Sequence, residues 1–209
     1  MKIDLHTHSN CSDGTDSPTQ LMHEATMAKL DVIALTDHDT IAGWDEAKKA
    51  RRGNLQLVLG SEISCITEEN TSVHITALLF DGNFEPLLNI LKLSRDDRFP
   101  RMEKMISLLA EDGFQISMSD VVAELQEGAT LGRPHLADAM VTKAIVKTRD
   151  EAFEKYLNND SKYYVSHLAP TPIQAIKLIK QAGGVSVIAH AYASFRGKNL
   201  DANFFAPLV

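Results

Sequence analysis

Histidine and acidic residues follow one another closely near the start of the chain, at a spacing that suits metal binding. His6 and His8 are separated by one residue. On an extended segment, residues i and i+2 point to the same face, so both imidazoles can reach one ion. By itself the pair fits two surface histidines equally well. Asp13, in a Ser-Asp-Gly run, can bend back towards them, although an aspartate before glycine is also a common turn former.

Further candidate ligands accompany predicted strands. His38 lies in the run Thr-Asp-His-Asp after an apolar strand, and acidic neighbours at a strand end are typical of a metal ligand with supporting partners. Glu62 and His190 also follow apolar runs, although Glu62 alone would fit an ordinary exposed glutamate. His74 lies near the start of a strand, where a histidine is more often a core residue with satisfied hydrogen bonds. The role of His167 stays open.

The donor types indicate which metal and which chemistry to expect. Imidazole and carboxylate without thiolate favour zinc, manganese or iron over a closed structural zinc site. The two cysteines, Cys11 and Cys65, form no CxxC pair, so neither a disulfide framework nor a cysteine-rich zinc site is predicted. An open cluster of such ligands can activate a bound water near neutral pH and neutralise phosphoryl oxygens. The pattern therefore predicts hydrolysis of a phosphoester.

The elements that must position these residues alternate between strand and helix at both ends of the chain. Strands are predicted at 2–5, 31–35, 55–59 and 73–80, and helices at 18–30 and 44–52. This order predicts βα units with a mainly parallel sheet or barrel. From about residue 96 the sequence becomes helical and charged, and a helix ending at Gly183 and a strand then resume the alternation. We therefore expect a barrel in 1–95 and 166–209, interrupted by a helical insertion in 96–165.

Composition limits the possible partners. The 209 residues carry a net charge of −7, which argues against stable binding of duplex nucleic acid. A small phosphorylated substrate or a nucleic-acid 5′ end remains compatible, because bound metals can reverse the local charge. No apolar run approaches the roughly 20 residues that span a bilayer, and the N-terminus lacks the apolar region of a secretory signal. We expect a cytoplasmic protein with no membrane partner; its oligomeric state is open.

Several motifs together resemble one family. The runs DLHTHSNCSDG, VIALTDHD, LVLGSEIS, SVHITALLF and GGVSVIAHA resemble the polymerase and histidinol phosphatase (PHP) family, in family order. The resemblance implies an α/β fold, a distorted seven-stranded (β/α) barrel that holds up to three divalent metals. The helical stretch with its GRPH run is similar to small bacterial members that act on nucleoside phosphates and RNA 5′ ends. Nucleotide phosphoesters are therefore the expected substrates, and histidinol phosphate is the alternative.

The resemblance also implies residue roles. A first metal would be held by His6, His8 and Glu62, a second by Glu62, His74 and His190, and a third by Asp13 and His38. His74 is thereby interpreted as a ligand rather than as a core residue. The helical insertion would cap the site and face the substrate phosphate with Arg98, Arg101, Arg133 and His135, because a guanidinium fork can bind phosphate with two hydrogen bonds.

One departure from the family pattern affects these expectations. Family members usually end with a strand that carries an Asp-x-His pair, and this sequence ends before such a motif. We therefore expect that C-terminal barrel strands are missing and that two of the three metals each lack one ligand, which makes the third site doubtful. A metal-binding but catalytically impaired fragment is the alternative to an active enzyme.

Overall fold

A mixed sheet forms the centre of the computed structural model, which describes residues 1–69, 71–125, 129–191, 204 and 206. In these residues the sheet has five strands in the order β1-β2-β3-β4-β5. They are β1 (Ile3–Thr7), β2 (Val32–Leu35), β3 (Gln56–Ile66), β4 (Ser72–Leu78) and β5 (Val185–Ile188). β1, β2 and β3 are parallel, whereas β4 is antiparallel to both β3 and β5.

The strand directions differ from the sequence prediction at one place. A mainly parallel sheet was expected, but β4 reverses direction after a connection of residues 67–71. A parallel crossover needs about a dozen or more residues, so this short connection can only form a hairpin. β3 also continues to Ile66, well past the predicted end at residue 59. Glu62 therefore lies within a strand rather than after one.

Helices lie between the strands and fill the middle of the chain. They are α1 (Pro18–Met27), α2 (Trp44–Ala50), α3 (Glu85–Asp96), α4 (Arg98–Glu111), α5 (Met118–Ala123), α6 (Arg133–Thr142), α7 (Arg149–Ala152) and α8 (Pro172–Gln181), with a π-helical turn at Phe153–Leu157. α1 begins with Ser17 as N-cap and proline in the first turn, as these residue types predict. None of the described helices is both long and apolar enough to cross a membrane.

The buried apolar side chains form two separate clusters. One lies between the sheet and helices α1, α2, α3 and α8, and its fully buried members include Ile33, Leu35, Ile63, Ile75 and Leu87. The other lies within the helical segment, defined as residues 96–165, and includes Met105, Leu109, Leu136, Met140 and Leu157. The helical segment therefore has an apolar core of its own and can present a polar face to the sheet.

In the described residues the sheet is open, with β1 and β5 as its edges. Apolar side chains on both edge strands are exposed, among them Ile3, Leu5, Val185 and Val187. The predicted continuation of the barrel beyond residue 191 lies, apart from residues 204 and 206, outside the described residues.

Candidate metal centre

Strand direction explains why the predicted ligands meet at one edge of the sheet. His6 and His8 lie at the C-terminal end of β1. Glu62 lies in β3, and its backbone forms a β-bridge with that of His38, which lies just beyond β2. His74 lies near the start of β4. Because β4 is antiparallel to β3, its beginning lies beside the C-terminal part of β3. His74 therefore lies near the other ligands although it is at the start of its strand, because β3 and β4 form a hairpin.

The Glu62 carboxylate lies at the centre of these histidines. Its Oε2 atom is 2.8 Å from His6 Nε2 and 2.9 Å from His8 Nε2. Its Oε1 atom is 2.8 Å from His74 Nδ1 and 2.7 Å from His190 Nε2. The side chain is 1% exposed. Four imidazole nitrogens thus converge on one buried carboxylate, and all become ligand atoms when deprotonated, as metal binding requires.

The surroundings of Glu62 keep it ionised. Burial by itself raises the pKa of a carboxyl group, but the nearby His38 and His74, together with hydrogen bonds from His190 and His6, outweigh burial. The pKa of Glu62 is therefore held far below its ordinary value. The carboxylate carries a full negative charge at neutral pH and can bind cations through both oxygens.

Asp13 bends back towards the histidines, as predicted, and lies beside His8 and His38. Its two oxygens are 3.5 Å from His8 Nδ1 and 3.6 Å from His38 Nε2. Burial opposes ionisation of Asp13, but His38 and His8 outweigh it and lower its pKa. The loop can fold back because residue 14 is glycine: a Cβ atom at Gly14 would collide with the carbonyl oxygen of His8.

Asp37 holds the loop that carries Asp13 in place through hydrogen bonds. It accepts hydrogen bonds from the backbone N–H of Ser9, the hydroxyl of Ser9 and the hydroxyl of Ser12, each at 2.7 Å. All three residues are buried. The sequence indicated a supporting role for the aspartates beside His38, but nothing in its pattern singled out Ser9 or Ser12, which lie 28 and 25 residues away from Asp37 in the chain.

The donor set fits divalent metal ions. Among the described residues there are three groups whose ligand atoms all lie within 4.8 Å of one another: His6, Glu62 and His190; His8, Asp13 and His38; and His38, Glu62 and His74. His38 Nδ1 is buried without a hydrogen-bond partner and lies 3.6 Å from Glu62 Oε2. A metal ion would supply the missing partner. All seven predicted ligands occur in these groups, although the grouping differs from the predicted one, which placed His6 with His8.

A cavity of about 130 Å³ lies between this cluster and the helical segment. Its wall includes Asp13, His38 and His74 on the metal side and Arg98, Arg101, Arg133 and His167 on the other. Ligand sites for whole small molecules are usually about 300–1,000 Å³. This cavity is therefore sized for one end of a substrate, and its cationic side favours an anionic group.

Arg98 is held firmly to the sheet side of the cavity. Its guanidinium pairs with the carboxylate of Asp39, which is fully buried, and donates to Ser64 Oγ at 3.1 Å and to the Leu131 carbonyl at 2.9 Å. Burial opposes ionisation of Asp39, but Arg98 outweighs it and lowers the pKa of Asp39. Arg98 was predicted to face substrate phosphate; in the structure its contacts attach α4 to the strand that carries Glu62.

Arg101 and Arg133 are held in a different way. Arg101 donates through Nε to the Val165 carbonyl at 2.6 Å, and Arg133 donates to the Leu157 carbonyl at 2.7 Å. Both guanidinium carbons lie close to the ring centroid of Tyr164, at 5.4 and 5.3 Å. Cations over an aromatic face are attracted by its quadrupole. Both groups are thus oriented at the cavity wall, where they can meet an anion.

Two histidines, one in the helical segment and one at its C-terminal flank, lie in different environments. His135 was predicted to face substrate, but it is buried in the first turn of α6, where its Nδ1 atom accepts from the Gly132 N–H at 3.1 Å. His167, left open by the sequence, lines the cavity and has a buried Nδ1 without a partner. Burial, followed by the charge of Arg101, lowers the pKa of His167 to about 3. Only the tertiary structure reveals this neutral imidazole.

Known proteins share this combination of fold and motifs. A solved structure from Bifidobacterium adolescentis, assigned as a metal-dependent phosphoesterase, superposes with a TM-score of 0.91 at 37% identity and covers all of this chain and 73% of that one. A 5′-3′ exoribonuclease of Haemophilus influenzae is 36% identical over 90% of this chain and 68% of its own length. A 3′,5′-nucleoside bisphosphate phosphatase of Chromobacterium violaceum is 34% identical over 95% of this chain and 70% of its own.

The resemblance seen in the motifs is confirmed by these similarities and by the match of a family model. The model of the PHP domain matches residues 4–162, a range that includes six of the seven predicted ligands; His190 lies beyond it. Taken with the strand-edge cluster, this shows that the chain belongs to the PHP domain family.

Proposed function

We propose that this chain hydrolyses phosphoesters of nucleotides or of RNA 5′ ends, with divalent metals bound by Glu62 and the six ligand residues around it. The observation that carries the proposal is the small cavity between the histidine and carboxylate cluster and the guanidinium groups of Arg101 and Arg133. A phosphate group there meets cations on both sides. The named activities of the H. influenzae and C. violaceum relatives, an exoribonuclease and a nucleotide phosphatase, support this substrate class.

The residues of the chain supply substrate binding and orientation. Arg101 and Arg133 carry donors on planar groups that match phosphate oxygens, and their contacts with Tyr164 fix them before substrate arrives. His167, a neutral imidazole among these arginines, adds a hydrogen-bonding group without adding charge. The phosphate is therefore oriented towards the metal cluster, and the remainder of the substrate projects out of the cavity.

The cluster supplies the remaining chemistry. Manganese, iron or zinc bound there, with up to three ions, would activate water as the attacking group and neutralise charge on the phosphoryl oxygens. Glu62 and Asp13, both kept ionised by their histidine neighbours, provide the negative charge that holds the cations. Asp37 keeps the loop of Asp13 in position through Ser9 and Ser12.

The test combines metal content with product release. The purified chain should contain a divalent transition metal and should release phosphate from a nucleoside 3′,5′-bisphosphate or nucleotides from a 5′-phosphorylated RNA. His74→Ala should lower both metal content and turnover, because it removes one contact to Glu62. The matched control is His23→Ala, which replaces an exposed histidine of α1 and should change neither metal content nor turnover. Full activity in the presence of excess chelator would refute the proposal.

A further inference from the structure

A second concave surface lies beside the cavity. This groove has a volume of about 600 Å³, and its lining includes Thr40, Arg95, Asp96, Phe99, Thr130 and Leu131. It is more than four times as large as the cavity of about 130 Å³. The cavity is too small for a whole nucleotide by the usual sizes of ligand sites, so the part of a substrate beyond its phosphate must lie elsewhere.

The cavity and the groove share one wall. Around the start of α4, Arg98 and Arg101 line the cavity, whereas Arg95 and Phe99 line the groove. Thr130 lines both. The cavity and the groove therefore adjoin at Thr130.

The chemistry of the groove suits a nucleoside. Phe99 is 47% exposed although it is a large apolar residue, and its ring is available as a stacking surface. Arg95 donates through one guanidinium nitrogen to the Asp39 carbonyl, which fixes the group at the groove wall. A guanidinium carries five N–H donors, so this bond leaves others for a sugar or phosphate oxygen. Base stacking on an aromatic side chain is a sequence-tolerant way to bind single-stranded nucleic acid.

We infer that the groove is a nucleobase-binding subsite, in which a base of a nucleotide or single-stranded RNA stacks on Phe99 while the phosphate lies in the cavity. The inference rests on the proposed function and adds to it: the enzyme selects substrates that carry a base over plain sugar phosphates. Arg95 contacts the sugar-phosphate backbone between the cavity and the groove. Asp96, on the same groove, opposes binding of further phosphates nearby.

The experiment compares substrates with and without a base. For Phe99→Ala, kcat/KM for a nucleoside 3′,5′-bisphosphate and for a short 5′-phosphorylated RNA should fall by about tenfold or more, the usual contribution of one stacked base. Hydrolysis of ribose 5-phosphate should be unchanged. Phe99→Trp, which keeps an aromatic face, should retain the rate on both kinds of substrate. The control is Val122→Ala, which shortens a similarly exposed apolar residue of α5 and should alter none of these rates.

Binding in the presence of chelator separates this inference from the proposed function. In chelator, Phe99→Ala should bind a fluorescent 5′-phosphorylated RNA trinucleotide more weakly than the unchanged chain, whereas Phe99→Trp should bind it with the same affinity. If the metal-loaded chain hydrolyses none of the substrates, the proposed function fails, while the binding comparison still tests the groove. Equal losses on ribose 5-phosphate and on nucleotides would overturn the inference, because Phe99 would then act only by supporting the cavity. Unchanged values on every substrate would overturn it as well.

Discussion

Removing the Arg98 guanidinium should destabilise the fold more than it weakens substrate binding. Arg98 pairs with Asp39, whose side chain is 0% exposed, while that of Arg98 is 13% exposed. In Arg98→Gln, the Asp39 carboxylate would keep the backbone N–H and the hydroxyl of Ser64, each at 2.8 Å, but would lose its countercharge. The variant thus leaves a buried carboxylate without a compensating cation.

The expected magnitude follows from this burial. Removing one partner of a buried ion pair costs about 3–5 kcal/mol, because the remaining charge stays desolvated. The free energy of unfolding of a domain is typically about 5–15 kcal/mol, so the loss is a large share of it. With a urea dependence of about 2–3 kcal/mol per molar, the unfolding midpoint should fall by roughly 1–2.5 M.

The assay is urea unfolding in chelator, so that loss of metal does not contribute. Lys155→Met is the matched control: it removes an exposed i,i+4 pair with Glu151 at 2.7 Å, and should leave the unfolding midpoint nearly unchanged, because exposed pairs add little stability. Metal content and the KM for a nucleotide substrate are measured on the same preparations. These measurements distinguish a residue that holds α4 to the sheet from one that binds phosphate.

Two results would refute the reasoning. One is a loss of less than about 1 kcal/mol, which would place the Arg98–Asp39 pair among ordinary surface pairs. The other is an unchanged unfolding midpoint together with a large rise in KM, which would show that Arg98 acts on the substrate phosphate rather than by holding α4 to the sheet.

Three further predictions follow from the site. Glu62→Gln should lower metal content, measured by elemental analysis after dialysis, more than Asp13→Asn, because Glu62 belongs to two of the three ligand groups and Asp13 to one; equal losses would contradict this. Arg133→Ala should raise the KM for phosphate-bearing substrates while metal content stays unchanged, since its guanidinium lines the cavity but belongs to no ligand group; unaltered kinetics would place Arg133 outside the substrate site. The pKa of His167 is about 3 in the folded chain against an ordinary value of 6.5, so below about pH 6.5 the unfolded chain takes up a proton that the folded chain does not. Stability should therefore fall as the pH is lowered towards about 4, and His167→Asn should make this decline shallower in urea titrations, whereas identical slopes would show that His167 ionises normally.

Most features that depend on neighbouring residues could be predicted from the sequence alone. Side chains alternate along a strand with a period of two, so His6 and His8 could be placed on one face, and both do contact the same oxygen of Glu62. Asp13 was predicted to bend back towards the two histidines, and it does lie 3.5 Å from His8, in a loop that only glycine at position 14 allows. Capping residues and proline likewise marked the start of α1. The family motifs added His74 to the ligand set, for which local pattern gave no reason.

Which residues far apart in the sequence come into contact depends on the folded arrangement of the chain. The reversal of β4 places His74 beside Glu62. The sequence did not predict this reversal, because β3 continues to Ile66, past its predicted end at residue 59, and leaves only a short connection before β4. The arrangement of ligands in groups depends on where loops approach the sheet edge. The partner of Arg98 and the position of His167 likewise depend on how the helical segment packs over the sheet. Side-chain types and spacing are properties of a short stretch of chain, whereas burial, countercharge and shared cavities arise from contacts between residues far apart in sequence.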